Sequence, residues 1–367
     1  MAAHDWAIVV GIKDYADPGL AGLQGPENDA RDFHKWVTSS DGGDVPKGQV
    51  ALITSSDYHP PFADAASAKP TQEAIKLAFD HLLSVATANE ESGLGRVIGD
   101  RLYLFFSGHG FAPDSDDQLA ALLMANASVA SSQLSHIIGS YMADTFWRGA
   151  YFKEVFLFMD CCRSVMECAQ LYKPYPNERG KDFDQVRRFY AYGARVAKES
   201  REWCMPDGQY HGVFTRTLID ALDGAAADPG DPSVITAESL RDYLYNGLKA
   251  HMSPSDQKRL DVPRDPEVVY EQKPQPRFTV VTRASLPQRL LRRGKAAPTY
   301  VVTIDVSAPR VGKKAVLVGK TLDKICDLTL ADGMMVTVDR GFYALLVDGE
   351  PEPIPFEVIN AGKHARA

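Results

Sequence analysis

Short unbroken apolar runs alternate with longer stretches of helical period along most of this chain. Residues 6–12, 101–106 and 154–159 are aromatic, β-branched and leucine-rich without a 3.6-residue repeat, the pattern of strands covered on both faces. Residues 49–54 and 189–194 read as two further strands. Between them, 27–37, 72–86, 213–222 and 237–249 place apolar residues along one helical face, and Thr71, after Pro70, stands where a cap is needed. Strands alternating with helices predict an α/β fold: a mainly parallel sheet flanked by helices.

Beyond about Ser255 the pattern changes. Pro263, Pro266, Pro274, Pro276, Pro287 and Pro298 punctuate a segment that holds the basic run Arg289-Leu-Leu-Arg-Arg-Gly-Lys295, which reads as a strap and linker. From Tyr300 onward, short alternating segments at 300–306, 314–318, 335–338, 342–347 and 355–359 predict a small all-β, sandwich-like C-terminal domain. The expected organisation is an α/β domain over 1–282, a basic, proline-rich linker over 283–298 and a β accessory domain over 299–367.

Two of the predicted strands end in reactive side chains. Leu102-Tyr-Leu-Phe-Phe-Ser-Gly-His-Gly110 brackets His109 with glycines, which allow a tight turn and close backbone approach. Phe156-Leu-Phe-Met-Asp-Cys-Cys-Arg-Ser164 delivers Cys162 at a second strand tip, 53 positions later. In open parallel sheets the ligand crevice lies outside the carboxyl ends of the strands, so both belong at one edge. A thiol with a pKa of about 8.5 is only a few per cent ionised at pH 7. A neighbouring imidazole can stabilise the thiolate and later protonate a leaving amine. The backbone amides of Gly110 and Cys162 are the natural pair to hold an oxyanion. The alternative is a buried cysteine beside a satisfied core histidine.

Ser-Gly-His-Gly, followed about fifty residues later by a strand ending in Asp-x-Cys-Arg, resembles the caspase/metacaspase superfamily of clan CD cysteine peptidases and is similar to the bacterial caspase-like proteases. Trp6-Ala-Ile-Val-Val-Gly-Ile-Lys-Asp-Tyr15 is similar to the family's first strand, and Leu23-Gln-Gly-Pro-Glu-Asn-Asp-Ala30 to the segment that follows it. Residues 189–194 are similar to the strand before the substrate loop, and His211-Gly-Val-Phe-Thr215 with its following helix to the end of the catalytic domain. The resemblance implies a caspase-like fold and an endopeptidase with His109 and Cys162 as its dyad. Cys162 is preferred because it directly precedes Arg163, while Cys161 should face the other way. By the same resemblance Asp29 and Asp160 line the S1 pocket and select Arg or Lys at P1; read as residues alone, Asp29 also fits a carboxylate at a helix N-terminus. Arg163 and Val165 stand where metacaspases carry His and Gly, and Pro26 where a Cys is usual.

Two loops follow the nucleophile strand. Residues 170–188 hold Lys173, Arg179, Lys181, Arg187 and Arg188, and the resemblance makes this a processing loop; a plain surface loop is the alternative. Residues 198–212 should wall the substrate cleft, with Trp203 and Tyr210 either shaping subsites or anchoring the loop.

A net charge of −8 disfavours a nucleic-acid binder and suits an enzyme that attracts basic peptides. Five cysteines, an odd number, with no signal peptide and no apolar run of membrane length, fit a reducing cytoplasm. No Cys/His set has zinc spacing. Many metacaspases need calcium, but Asp114, Asp116, Asp117, Asp182 and Asp184 make no convincing ligand set, so no cofactor is expected. The expected partners are a peptide or protein substrate with a basic P1 residue and an activating protease or regulatory protein; nucleic acid and membrane are not. Resemblance suits a role in stress, cell-death or antiphage programmes. The rival reading is a catalytically silent homologue that acts as a scaffold or adaptor.

Overall fold

The computed structural model describes residues 4–58, 64, 66–116, 118–129, 134–168, 170–195, 202–205, 208–228, 231, 234–248, 266–270, 277–278, 300–319, 324–331, 334–338, 341–350, 354–358 and 364–366. The expected linker over 283–298 lies outside these residues, as does Asp117. The chain divides into two compact units, Met1–Leu286 and Pro287–Ala367.

In the first unit the elements run β1 (Trp6–Gly11), α1 (Pro26–Thr38), β2 (Val50–Thr54), α2 (Gln72–Glu91), β3 (Gly99–Ser107), β4 (Gly110–Pro113), β5 (Ala121–Leu123), β6 (His136–Ile138), α3 (Gly139–Arg148), β7 (Phe152–Asp160) and β8 (Ser164–Met166). They continue with β9 (Arg187–Tyr192), β10 (Glu202–Cys204), β11 (Tyr210–Gly212), α4 (Val213–Asp220), β12 (Ile235–Thr236), α5 (Ala237–Gly247), β13 (Glu267–Tyr270) and β14 (Arg277–Phe278). The central sheet has the order β13-β9-β7-β3-β1-β2. Every pairing in it is parallel except that of β13 with β9.

The strands lack an alternating pattern because both faces of the sheet are buried. Tyr103, Phe105, Phe156 and Phe158 pack on one side with Phe33 of α1, Phe214 and Leu218 of α4 and Leu240 of α5. Leu104, Phe106, Leu157 and Met159 pack on the other with Ile75 and Phe79 of α2 and Met142 and Phe146 of α3. Thr71 is the N-cap of α2 by position, but its side chain makes no capping hydrogen bond. The proline-punctuated region read as strap and linker contributes β13, which completes the sheet edge.

A second, small sheet of order β6-β5-β4-β8 is built from the segments that emerge past the carboxyl ends of β3 and β7. Its register sets up the site. Ser107 pairs with Asp160 in β3–β7, and Phe111 with Ser164 in the parallel β4–β8 pair. Both pairings hold the 53-residue offset seen between Arg101 and Glu154, which is also the offset from His109 to Cys162. The two segments therefore keep one register on either side of the turn, and His109 and Cys162 lie at equivalent points of the two turns between the paired strands.

The second unit is all β: β15 (Tyr300–Asp305), β16 (Lys314–Gly319), β17 (Lys324–Thr329), β18 (Met334–Val338), β19 (Gly341–Val347), β20 (Ile354–Val358) and β21 (His364–Arg366). Sheets of order β18-β15-β21 and β17-β16-β19-β20 share a core of Val306, Ala315, Leu317, Leu330, Val336, Leu345 and Val347.

Candidate active site

The ends of β3 and β7, the start of α1 and the β10–β11 hairpin surround a cavity of about 400 Å³. His109, Gly110, Asp29, Asp160 and Cys162 all line it, together with Leu20, Leu23, Pro26, Ser107, Gly108, Leu123, Ser164, Met166, Glu202 and Gly212. Sequence residues that lie far apart thus meet at the carboxyl edge of a parallel sheet.

His109 is held by its backbone and its ring. Gly108 takes φ 151°, and any side chain there would meet Tyr15 Oη at 2.7 Å and the Ile12 carbonyl at 2.9 Å. Tyr15 Oη accepts the His109 N–H at 2.7 Å and donates to the Ile12 carbonyl at 3.0 Å, while its ring packs 4.8 Å from the imidazole. His109 Nε2 lies 2.7 Å from the Ala21 carbonyl. A carbonyl only accepts, so Nε2 carries the proton and Nδ1 is left as the basic nitrogen. Gly110 has no space for a side chain, because a Cβ would meet the Ala121 carbonyl at 2.6 Å and Cys161 Sγ at 2.7 Å.

The two adjacent cysteines diverge as alternation along a strand requires. Cys161 is buried in the core, and burial pushes its thiol well above the ordinary range. Cys162 is half-buried and opens onto the cavity. None of the five cysteines is in a disulfide. Arg163, fully buried, pairs with Glu267 of β13 at 2.7 Å and lies 4.5 Å above the Tyr192 ring, fastening the turn after Cys162 to the far edge of the sheet.

Asp29 and Asp160 are buried together at the start of α4. Asp160 Oδ2 accepts from Thr215 N at 2.9 Å and Thr215 Oγ1 at 2.6 Å. Asp29 accepts from Gly212 N at 3.0 and 3.1 Å, from Ser107 Oγ at 3.1 Å, and from His211 Nδ1 at 3.1 Å. The exposed amides at a helix start compensate negative charge, so α4 stabilises both carboxylates. Burial, with the nearby Asp160 charge, nevertheless pushes Asp29 up to about 7. Gly212 lies between the two: a Cβ would sit 1.9 Å from Asp160 Oδ2 and 3.0 Å from Asp29 Oδ2. Gly212→Ala is therefore expected to displace both carboxylates, cost about 1–3 kcal/mol of stability and lower kcat/KM on basic-P1 peptides by roughly tenfold or more, measured by denaturant unfolding and initial rates.

The structure also places residues that the sequence reading missed. Glu202 Oε2 accepts from Gln24 N at 2.9 Å and Gly25 N at 2.8 Å, clamping the hairpin to the start of α1 and adding a third carboxylate to the cavity wall. Nothing in the local sequence marks it, because the contact spans nearly 180 residues. Trp203 and Tyr210 sit in the same hairpin but do not line the cavity; Trp203 is exposed, and the Tyr210 carbonyl accepts from Asn28 Nδ2. Residues 198–201 and 206–207 of that loop lie outside the described residues.

Among the processing candidates, Lys173, Arg179 and Lys181 are exposed in irregular chain. Arg187 and Arg188 are the first two residues of β9 instead. Arg187 pairs with Glu154 at 2.7 Å, and Arg188 pairs with Asp144 and stacks 3.8 Å from the Trp147 ring. A protease cleft needs an extended, released segment, so a cut at either would first require β9 to leave the sheet. Of the aspartates weighed for calcium, Asp114 and Asp116 follow β4, whereas Asp182 and Asp184 precede β9 with Asp184 paired to Arg179. Among the described residues no three His, Cys, Asp or Glu side chains group as a metal site. No described helix is long and apolar enough to cross a membrane.

A thiol and an imidazole that follow neighbouring parallel strands and line one cavity with buried carboxylates define the class: an α/β protein with the groups a cysteine peptidase needs. The chain belongs to the caspase family, whose caspase-domain model matches residues 4–284. A protein named a probable protease, from a Desulfuromonadales bacterium, is 29 % identical over 240 residues, covering 60 % of this chain and 26 % of that protein. This chain thus spans about a quarter of that relative's length. The crystal structure of caspase-1 from Spodoptera frugiperda is similar at a TM-score of 0.44 and 12 % identity, covering 73 % of this chain and 86 % of that one. A structure of pro-sf-caspase-1 is similar at 0.43 and 11 %, covering 73 % and 87 %.

Proposed function

We propose that this protein is a cysteine endopeptidase that cleaves after Arg or Lys. The observation that carries the reading is the single cavity lined by His109, Gly110, Cys162, Asp29 and Asp160. His109 Nδ1 takes the Cys162 proton, and the thiolate attacks the scissile carbonyl carbon. Gly110 and Cys162 amides hold the oxyanion, and the imidazolium returns the proton to the leaving amine. Water then hydrolyses the thioester, with His109 as base. The P1 guanidinium or ammonium enters beside Asp29 and Asp160, the two buried carboxylates that line the cavity, and pairs with their negative charge.

No step in this scheme uses a metal. Hydrolysis of an Arg-P1 peptide is therefore expected to continue unchanged in EDTA, measured as initial rate with and without added calcium; complete loss on chelation, restored by calcium, would contradict it. Activation by cleavage in the 170–188 loop fits best at Lys173, Arg179 or Lys181, which are exposed in irregular chain. A place in a bacterial stress, cell-death or antiphage response is the setting in which such an enzyme would be held latent until a protease or regulatory partner acts on it.

A further inference from the structure

His211 takes no part in the scheme above, yet it is buried against the cavity floor. It stands on β11 one residue before Gly212, so two consecutive residues of one strand donate to the same carboxylate: His211 Nδ1 at 3.1 Å and Gly212 N at 3.0 Å from Asp29. The charged groups facing the imidazole are Asp29 and Asp32 of α1, Asp32 at 3.9 Å, and Arg216 of α4. Asp160 of β7 faces the neighbouring Gly212.

We propose that His211 is a positioning residue for P1 recognition, donating its Nδ1–H to Asp29 so that this buried carboxylate stays oriented and charged when a basic side chain arrives. The inference rests on the reading of Asp29 and Asp160 as the P1 site. Two carboxylates so close to one glycine repel, and burial disfavours charge on either. Ser107 Oγ and Gly212 N offset part of that, but each is a neutral donor. His211 is the one donor to Asp29 among the described contacts that can itself carry positive charge. Burial draws its imidazole down, but the hydrogen bond and charge of Asp29 outweigh this and hold it above the usual range. Asp29 in turn is lowered by His211 from where burial alone would put it. A cation binds the ionised carboxylate, so recognition strengthens as pH rises through about 7 and weakens below it. Without His211 that rise moves to higher pH.

The test compares kcat/KM for two peptides that differ only at P1, arginine against the isosteric, uncharged citrulline. Any pH dependence of the chemical step common to both peptides cancels in the ratio, leaving the charge-dependent part of P1 binding. In the wild type the ratio is expected to rise by roughly tenfold between pH 6 and 8. In His211→Leu the rise should shift upward by about one pH unit, lowering the ratio at pH 7 by about fivefold or more. His211→Asn, whose amide nitrogen falls near the Nδ1 position, restores a donor without positive charge and should recover only part of the loss. Should the leucine variant fail to fold, His211→Gln, whose amide reaches the Nε2 position instead, takes its place. A wild-type ratio near one at every pH would overturn the P1 reading and this inference with it. A high wild-type ratio that His211→Leu or His211→Gln leaves unmoved at every pH would overturn the inference alone, leaving His211 a packing residue.

Discussion

Cys162→Ala is expected to remove peptide hydrolysis almost entirely, lowering kcat by about four orders of magnitude or more. The reason is geometric as much as chemical. Cys162 shares a cavity with His109, in the turns between β3–β7 and β4–β8, which keep one register, and among the described residues no other thiol lines that cavity. Cys161 is its neighbour in sequence, but it is buried in the core with its thiol held protonated. Cys161→Ala should therefore retain most of the activity. His109→Ala is expected to cost nearly as much as Cys162→Ala, and the double variant little more than either, because residues that act as one unit lose their function together. Initial rates on one peptide with all four variants, each checked for folding by circular dichroism, measure this.

Asp160→Asn is expected to be the second largest effect. The amide keeps an oxygen to accept from Thr215 N and Oγ1, so the start of α4 is preserved while the charge is lost. Stranding one partner of a buried ion pair costs about 3–5 kcal/mol. At about 1.4 kcal/mol per factor of ten, kcat/KM on Arg- or Lys-P1 peptides should fall by roughly a hundredfold or more. Any turnover of a Leu-P1 peptide should stay within a few fold of wild type. Asp160→Ala should lose the same selectivity and also stability, since the Thr215 amide then lacks its acceptor at about 1–3 kcal/mol. Full activity of Asp160→Asn on Arg-P1 peptides would remove Asp160 from the S1 pocket.

Much of the fold was legible because the central strands are buried on both faces, so β1, β3 and β7 appear as continuous apolar runs with abrupt ends. What escaped notice was short or compensated in space. β5 and β6 have three residues each, too few to display a period. α3 opens at Gly139 without a capping side chain, and β13 lies in a proline-rich stretch that carries no alternation of its own. In the second unit, β17 mixes Lys324 and Asp327 with apolar residues, so its strand pattern does not show. The site divides in the same way. His109 and Cys162 stand out because small-residue turns end their strands. No local pattern announces Glu202, whose contact with Gln24 spans 178 residues; Tyr15 and His211 lie in family-like stretches, but their contacts with His109 and Asp29, 94 and 182 residues away, are not legible there.

The most direct measurement is hydrolysis of fluorogenic tetrapeptides that differ only at P1, as Arg, Lys, Asp or Leu, by wild type and Cys162→Ala. The account predicts turnover of the Arg and Lys peptides that disappears in the variant, with Asp and Leu peptides cleaved at least about a hundredfold less efficiently. Cysteine-dependent cleavage after Asp or Leu instead would contradict the acidic S1 pocket, and Arg-P1 cleavage that persists in Cys162→Ala would contradict the dyad itself.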